Sequence, residues 1–258
     1  MESTFLIRLD IILGMKRKRR EQGNSSRRNK NENKNYQATG HLGIQPCLPC
    51  RSLEETLLSK QRENETQEGV VIHRHIVWFQ QHYPHLHQEL RLCNHNYDTQ
   101  DLNPYHLESD CWSHTMMVCK IAELKQCGKV VQIAALLHDI GKPFVRRINP
   151  HNHHVQFFGH EERSARMAEE ILASMREEGM IESREKDKIV KLIEHHSFLH
   201  KGLEIARLLD TFGGEIDFCI HLVELSRCDN LGRFSSETGN DAKYLQALEV
   251  LHRLRKYL

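Results

Sequence analysis

The sequence predicts an all-α domain, a helical bundle with a small β-hairpin insertion, behind a disordered basic N-terminal tail. From about residue 70, apolar side chains recur at intervals of three and four residues in one segment after another. Most of these segments are bounded by Gly, Pro or a polar residue, as helices are. The chain has 258 residues, 39% of them hydrophobic and 28% charged, which is enough to bury a core.

The predicted helices follow one another along the chain. Their sequences are VVIHRHIVWFQQHY, SDCWSHTMMVCKIAELK, KVVQIAALLHDIG, HEERSARMAEEILASMREEG, EKDKIVKLIEHH, LEIARLLDTF, EIDFCIHLVELSRCDN and DAKYLQALEVLHRLRKYL. In AALLHDIGKP, Ala and Leu predict a buried helix face, and Gly141 and Pro143 predict where that helix ends. Between Pro143 and Gly159, two short runs flank the turn NPHN, which predicts the hairpin.

The N-terminal part of the chain has a different composition. Residues 15–40 are polar, basic and low in complexity, so they cannot bury enough apolar area to offset the entropy lost on ordering. We therefore divide the chain into a largely disordered tail, residues 1–65, and a domain, residues 66–258, whose core is 100–235.

Charge gives no overall sign of a nucleic-acid-binding protein, because the net charge is only +1. The basic residues are concentrated in the tail, at 16–34, which makes this stretch a candidate for nucleic-acid contact. Its run KRKRR, residues 16–20, is also typical of a nuclear address. A solvated tail explains the same residues equally well.

The cysteines indicate a reducing compartment. The eight of them lack the spacing of a disulfide scaffold, and no cleavable signal peptide precedes them. The opening TFLIRLDIILGM is interrupted by Arg8 and Asp10 and is too short to span a membrane. We expect a cytoplasmic protein, or a nuclear one if KRKRR acts as an address. Cys47 and Cys50 form a lone CxxC, which favours a chance pair over a zinc or redox site.

Histidine is the unusual residue of this composition, with 19 copies, and it is the commonest metal ligand in proteins. Several histidines and aspartates stand near the ends of predicted helices, and helix ends in a bundle can gather at one rim. Together these side chains could hold two divalent ions, with Asp139 bridging them through its two oxygens. The candidate ligands are His114, His138, Asp139, His160, His195, His196 and Asp229.

The order of these residues resembles that of a known family. His114, then His138–Asp139, then Asp229 is similar to the H…HD…D signature of the HD-domain superfamily of metal-dependent phosphohydrolases. The flanking segments NPYHLESDCWSHT, AALLHDIGKP and FFGHEERSA resemble the HD domain attached to bacterial tRNA nucleotidyltransferases. The resemblance covers roughly residues 100–235. It implies the HD-domain form of helical bundle.

The resemblance also implies roles for single residues. His114, His138, Asp139 and Asp229 would bind a first metal. His160, His195 and His196 fall where the two-metal branch, which includes the cyclic-di-GMP phosphodiesterases, places ligands of a second one. Ser113 departs from the pattern, since the nucleotidyltransferase-type domains usually carry an acidic residue there. For the last three histidines the alternatives stay open, because a helix end also favours such residues without a metal.

The chemistry of such a site explains its ligand types. Metal ions neutralise phosphoryl oxygens and lower the pKa of a bound water, and mixed His and carboxylate ligation suits one or two ions of Mn, Fe, Co, Ni or Zn better than Mg. Asp139 and Lys142 are the candidate catalytic residues, with Lys142 resembling the lysine that faces substrate phosphate. Arg146, Arg147 and Arg233 are candidates for binding phosphate, although each is also an ordinary surface charge.

The sequence leaves three functions to compare. The first is a divalent-metal phosphohydrolase acting on a nucleotide or on a phosphate end of RNA or DNA, where the resemblance implies a phosphomonoester or a 2′,3′-cyclic phosphate. The second is a di-iron oxygenase of the HD fold, and the third is a non-catalytic RNA-binding or scaffold module. Before residue 100 the chain lacks the Gly-Ser and paired carboxylates of a nucleotidyltransferase, and it has no GxxxxGK[ST] loop. The oligomeric state is not predicted.

Overall fold

The computed structural model describes residues 72–96, 108, 110–233 and 241–256. All of them lie in one compact unit, Asn64–Leu258. The predicted tail, with KRKRR, Cys47 and Cys50, lies outside the described residues. In the described part the fold is all-α with one two-stranded hairpin, as the sequence predicts.

The elements follow in chain order. They are helix α1 at residues 72–82, α2 (Pro84–Leu92), α3 (Cys111–Leu124), α4 (Lys129–Leu137), α5 (Lys142–Val145), strands β1 (Arg147–Ile148) and β2 (Val155–Gln156), α6 (His160–Glu177), α7 (Ser183–His195), a 3₁₀ helix (His196–Lys201), α8 (Ile205–Thr211), α9 (Ile216–Gly232) and α10 (Asp241–Arg255). The antiparallel pair β1–β2 is the predicted hairpin, with Arg147 opposite Gln156.

Local sequence signals set several helix starts. Asp110 caps α3, because its side chain accepts a hydrogen bond from the Ser113 backbone N–H at 2.9 Å. Glu182 and Glu185 form a capping box at the start of α7. Such caps satisfy backbone N–H groups that the first turn of a helix leaves without a partner.

The core surrounds α9, which packs against α3, α4, α7 and α10. Buried side chains cover most of the circumference of this helix, among them the successive residues Phe218, Cys219 and Ile220. A helix that is buried round most of its circumference belongs in the interior of a domain. In α4, every residue from Val131 to Leu137 is buried. These two helices therefore fix the ligands that they carry in a rigid setting.

The helix that carries the HD pair ends earlier than the sequence predicts. We expect it to reach Gly141, but α4 ends at Leu137 and a turn follows. Pro143 does not stop a helix there; it lies in the first turn of the short helix α5. Proline is favoured in this position, because the N–H that it lacks has no helical partner in a first turn.

Glycine allows the turn after α4 to touch the start of α6. A Cβ atom on Gly141 would lie 2.6 Å from the Ser164 backbone nitrogen and 2.8 Å from the His160 carbonyl oxygen. The Gly141 N–H also donates a hydrogen bond to Ser164 Oγ at 2.9 Å. This close approach brings the HD pair beside His160.

Among the described residues, no helix has the length and apolar character needed to cross a membrane.

Candidate metal centre

The first group of candidate ligands joins three helices that are far apart in sequence. His114 comes from α3, His138 follows the end of α4, and Asp229 lies in the last turn of α9. All three are buried, and one ligand atom from each lies within 4.8 Å of the others. His114 Nε2 is 3.1 Å from Asp229 Oδ1. Their spacing is suitable for a single ion between them.

The second group lies beside the first. It consists of Asp139, His160 at the start of α6, and His196 just after α7. His160 Nε2 is 3.1 Å from His196 Nε2, and Asp139 Oδ1 lies 3.4 Å from the first and 3.7 Å from the second. These three residues could also hold one ion.

Asp139 connects the two groups through its two oxygens. While Oδ1 faces His160 and His196, Oδ2 lies 3.2 Å from His138 Nε2 and 3.6 Å from His114 Nε2. A carboxylate between two groups of ligands can bridge two metal ions. The described structure thus places Asp139 where such a bridging ligand would be needed.

The tautomers of three histidines show that this donor set fits a cation. The Nδ1 atoms of His138, His160 and His196 lie 2.7–2.8 Å from backbone carbonyl oxygens. A carbonyl only accepts, so each Nδ1 carries the hydrogen and a neutral ring presents a bare Nε2 lone pair. Two such lone pairs face each other between His160 and His196, next to the Asp139 carboxylate. This arrangement is repulsive unless a positive ion lies among them. The carbonyls belong to Ala135, Phe157 and Ile193.

Burial keeps the second-group histidines neutral. It lowers the pKa of His160, and it lowers the pKa of His196 further because the neighbouring His138 and His160 add to the effect. His114 differs: burial lowers its pKa, but hydrogen bonds to Asp229 and Glu108 outweigh burial and raise it. Neutral imidazole is the form that binds a metal.

The two aspartates stay ionised although both are buried. Burial would raise the pKa of Asp139, but the neighbouring charge of Lys142, 2.7 Å away, outweighs burial and holds that pKa well below its usual range. For Asp229, burial is outweighed chiefly by Arg233, with the same result. Both carboxylates can therefore act as anionic ligands at neutral pH.

Two cations lie on these carboxylates. Lys142 Nζ is 2.7 Å from Asp139 Oδ2, and Arg233 Nη2 is 2.7 Å from Asp229 Oδ2. Burial lowers the pKa of Lys142, but Asp139 outweighs this effect and raises it, so the lysine remains charged. Each group of ligands therefore has a positively charged side chain next to its carboxylate.

An open cavity of about 360 Å³ lies over the centre. This volume is in the range of small-molecule sites. The cavity exposes ligands from both groups together with the two cations, so a bound anion could reach all of them. Its lining residues are Asp139, Lys142, Phe157, Phe158, Gly159, His160, Glu161, His196, His200, Asp229 and Arg233.

The structure does not bring three of the sequence candidates to this centre. The His195 ring packs 5.1 Å from the Phe212 ring, away from His196, which follows it. Arg146 donates hydrogen bonds to the backbone carbonyls of residues 94 and 96, and Arg147 is exposed on β1. Among the phosphate candidates, only Arg233 lines the cavity.

Two residues of the centre were missed from the sequence. Glu108 Oε1 lies 3.2 Å from His114 Nδ1, so a carboxylate contacts the first histidine although position 113 is a serine. His200 Nε2 lies 3.0 Å from Asp229 Oδ2 and 2.9 Å from Arg233 Nη2. Glu108 stands in the family-like segment NPYHLESD, which was a usable signal, whereas no regular spacing indicated His200.

Residues 111–253, more than half of the chain, match the family described as HD domain. The chain belongs to the HD-domain family. HD domains bind divalent metals and are mostly metal-dependent hydrolases, in agreement with the two groups of ligands described above.

The curated relatives share only part of their length with this HD domain. The chain is 31% identical to the Multifunctional CCA protein of Cupriavidus taiwanensis over 152 residues. The aligned region covers 59% of this chain and 31% of that protein. The chain is 27% identical over 153 residues to the protein of the same name from Shewanella frigidimarina, covering 57% and 35%. The chain therefore spans about a third of the length of these relatives. The resemblance predicted from the motifs is confirmed.

Proposed function

We propose that this protein is a divalent-metal-dependent phosphohydrolase that cleaves phosphate esters of nucleotides or of nucleic-acid ends. The observation that carries the proposal is the pair of ligand groups joined at Asp139, beneath a cavity lined by two cations. Bound between these residues, divalent ions would supply an activated water and neutralise phosphoryl charge.

The side chains divide the remaining tasks. Lys142 and Arg233 would bind phosphoryl oxygens. Both side chains line the cavity, and their N–H groups already contact anionic oxygens there, those of two carboxylates. The carbonyls that hold the Nδ1 atoms of His138, His160 and His196 fix each ring, so that its Nε2 stays turned to the centre. A rigid ligand set of this kind orients substrate without rearrangement of the core.

The names of the relatives support a nucleotide-related substrate. The Multifunctional CCA proteins match this chain over more than half of its length. By that likeness we extend the proposal to phosphomonoesters and 2′,3′-cyclic phosphates at RNA ends, as phosphatase or phosphodiesterase. Among the metals, the imidazole-rich donor set favours Mn, Fe, Co, Ni or Zn over Mg.

The test is a phosphate-release screen on the purified full chain, supplied with each metal in turn. Nucleoside monophosphates, 2′,3′-cyclic phosphates and short RNA with phosphorylated ends are the substrates. We expect metal-dependent release that is lost by at least a hundredfold in Asp139→Asn. The matched control is Asp187→Asn, which alters an exposed aspartate on α7 and should keep full activity.

Two results would contradict the proposal. One is the absence of release with every metal from protein that binds metal. The other is oxygen consumption by the iron-loaded protein with no anaerobic phosphate release, which would favour the di-iron oxygenase.

A further inference from the structure

A large aromatic side chain at the border of the cavity has no role in the centre described so far. Phe158 lines the cavity and is 76% exposed. This is the highest exposed fraction of any large hydrophobic residue in the described part of the chain. A single exposed apolar residue is common on a protein surface. What distinguishes Phe158 is its position in the same cavity as Lys142 and Arg233.

The turn that carries Phe158 is fixed on both sides. The Phe157 ring lies 5.6 Å from the His95 ring and 5.3 Å from Lys142 Nζ, which anchors it inside the centre. The Phe157 carbonyl accepts hydrogen bonds from the His160 backbone N–H, at 3.1 Å, and from His160 Nδ1, at 2.8 Å. Gly159, in the same turn between Phe157 and His160, adopts a φ of 76°, a conformation that favours glycine.

This turn couples the exposed ring to a candidate ligand. Since His160 and Phe158 are two residues apart on one hydrogen-bonded turn, the backbone fixes the point from which the Phe158 side chain extends relative to the centre. A ligand can therefore contact Phe158 with one part while its anionic part reaches Lys142 and Arg233. The cavity of about 360 Å³ is large enough for a small molecule of this kind.

We propose that Phe158 stacks on the base of a nucleotide whose phosphate lies at Lys142 and Arg233, and so selects nucleotides over other phosphate esters. The inference rests on the proposed function, and it adds the group that recognises the substrate. A planar base and a phosphate are the two chemical features that an aromatic ring and a pair of cations would bind together. Stacking on a ring tolerates different bases, so we expect selection for a nucleotide rather than for one base.

The test compares two ligands that differ only by the base. Binding of the non-hydrolysable 5′-phosphonate analogues of adenosine monophosphate and of ribose 5-phosphate is measured by calorimetry on the full metal-loaded chain. Wild type should bind the adenosine compound more tightly. In Phe158→Ala its Kd should rise about 5- to 100-fold, while the Kd of the ribose compound stays within about twofold.

Two further variants complete the experiment. Phe158→Trp keeps a stacking surface and should retain the preference for the adenosine compound. Phe144→Ala is the matched control, because Phe144 is a half-exposed phenylalanine that contacts Arg163 and does not line the cavity. It should bind both compounds like wild type.

The outcomes separate this inference from the proposed function. Equal loss of both compounds in Phe158→Ala, or no loss of either, would overturn the base contact and leave phosphate release to be judged by its own screen. Base-dependent binding that needs Phe158, in a protein that releases no phosphate from any substrate, would support the base contact and contradict the hydrolase.

Discussion

At the scale of single residues, the centre depends on side chains that orient ligands as well as on the ligands. Glu108 lies 3.2 Å from His114 Nδ1, so it holds the hydrogen on that nitrogen and turns Nε2 toward Asp229. A carboxylate behind a histidine ligand fixes its tautomer and makes it a stronger donor. Glu108 thus belongs to the site although it would not touch the metal.

Glu108→Gln should therefore weaken metal binding without removing a ligand. We expect metal affinity to fall about 10- to 100-fold, measured by competition with a chromophoric chelator. Glu169→Gln, an exposed position on α6, is the control and should leave affinity unchanged. Equal affinity in both variants would show that Glu108 does not orient His114.

The pair His195–His196 shows how much of the site the sequence could predict. Two adjacent histidines at a helix end are both candidates, but they cannot both lie at the centre of one face, since neighbours are about 100° apart on a helix. The buried positions Ile189, Leu192 and Ile193 define the inner face of α7. His196, four residues after Leu192 and three after Ile193, continues the centre of this face, whereas His195 lies about 100° away from it. Helical register could have separated them.

Residues that act through a turn or a loop are harder to predict. Glu108 precedes α3, and His200 lies in a 3₁₀ helix, so neither has a regular face that fixes its direction. Their positions depend on long-range packing against α3 and α9. The position of Arg146 has a related cause, because its side chain donates hydrogen bonds to backbone carbonyls near Asn94 and does not line the cavity.

At the scale of elements, the apolar pattern predicted the helices and the hairpin, while the breaks between helices came from packing. The turn at His138–Gly141 is an example: it is held by the approach of α6 at Gly141 and by hydrogen bonding to Ser164. The positions of Gly and Pro in the sequence give no information on the neighbouring helix. A prediction from these two residue types therefore places the end of α4 four residues too late.

Gly141→Ala should destabilise this junction. The new Cβ would meet backbone atoms of α6 at 2.6 and 2.8 Å, and backbone cannot move aside as a flexible side chain can. We expect a loss of about 1–3 kcal/mol in the free energy of unfolding, measured with urea. Gly128→Ala is the control, since nothing lies within 4 Å of its Cβ position, and it should cost about 1 kcal/mol or less. Equal losses would show that α6 can yield.

The cap of α3 allows a second test at this scale. Asp110→Ala removes the acceptor for the Ser113 N–H and should lower the free energy of unfolding by about 0.5–2 kcal/mol. Asp110→Asn keeps an acceptor and should recover most of that loss in the same urea titration. If Asp110→Ala unfolds like wild type, the cap does not contribute to stability.

At the scale of the whole molecule, the centre connects helices that otherwise contact one another through apolar packing and a few polar contacts, such as the ion pair between Lys129 of α4 and Glu185 of α7. The ligands come from α3, α6 and α9 and from the ends of α4 and α7. Metal would bind this folded arrangement and not the separated residues of the unfolded chain. Bound metal should therefore stabilise the entire domain.

Removal of metal should lower the thermal midpoint. At a free metal concentration of about 100 times Kd the stabilisation is about 2.7 kcal/mol, which corresponds to roughly 5–10 °C in a domain of this size. We expect a chelator to cause that decrease in wild type, followed by calorimetry. Asp139→Asn should show little response to the chelator, and a wild-type midpoint that does not respond would contradict metal binding.

Without metal, the stability should depend on pH in a defined direction. His160 and His196 have lowered pKa values when folded, so the unfolded chain takes up their protons more readily. Stability is then complete above the ordinary pKa of 6.5 and is lost as pH falls through the lowered values. His114, whose pKa is raised, acts in the opposite direction, whereas the pKa of His196 is lowered well below its ordinary value. Urea unfolding in chelator should weaken from pH 7 to pH 5; a rise over this interval would contradict the assignment.

The order of the ligands along the chain has a consequence for synthesis. The second group is complete once His196 has been made, whereas the first group needs Asp229 from α9. A growing chain therefore contains the three ligands of the second group, Asp139, His160 and His196, before it contains α9, the core helix that fixes their surroundings. Because Asp139 lies between both groups, the two groups can be complete together only after Asp229 has been made. The translation of α9 thus supplies the central core helix and the last ligand of the first group in one step, and α10 then adds the remaining core residues.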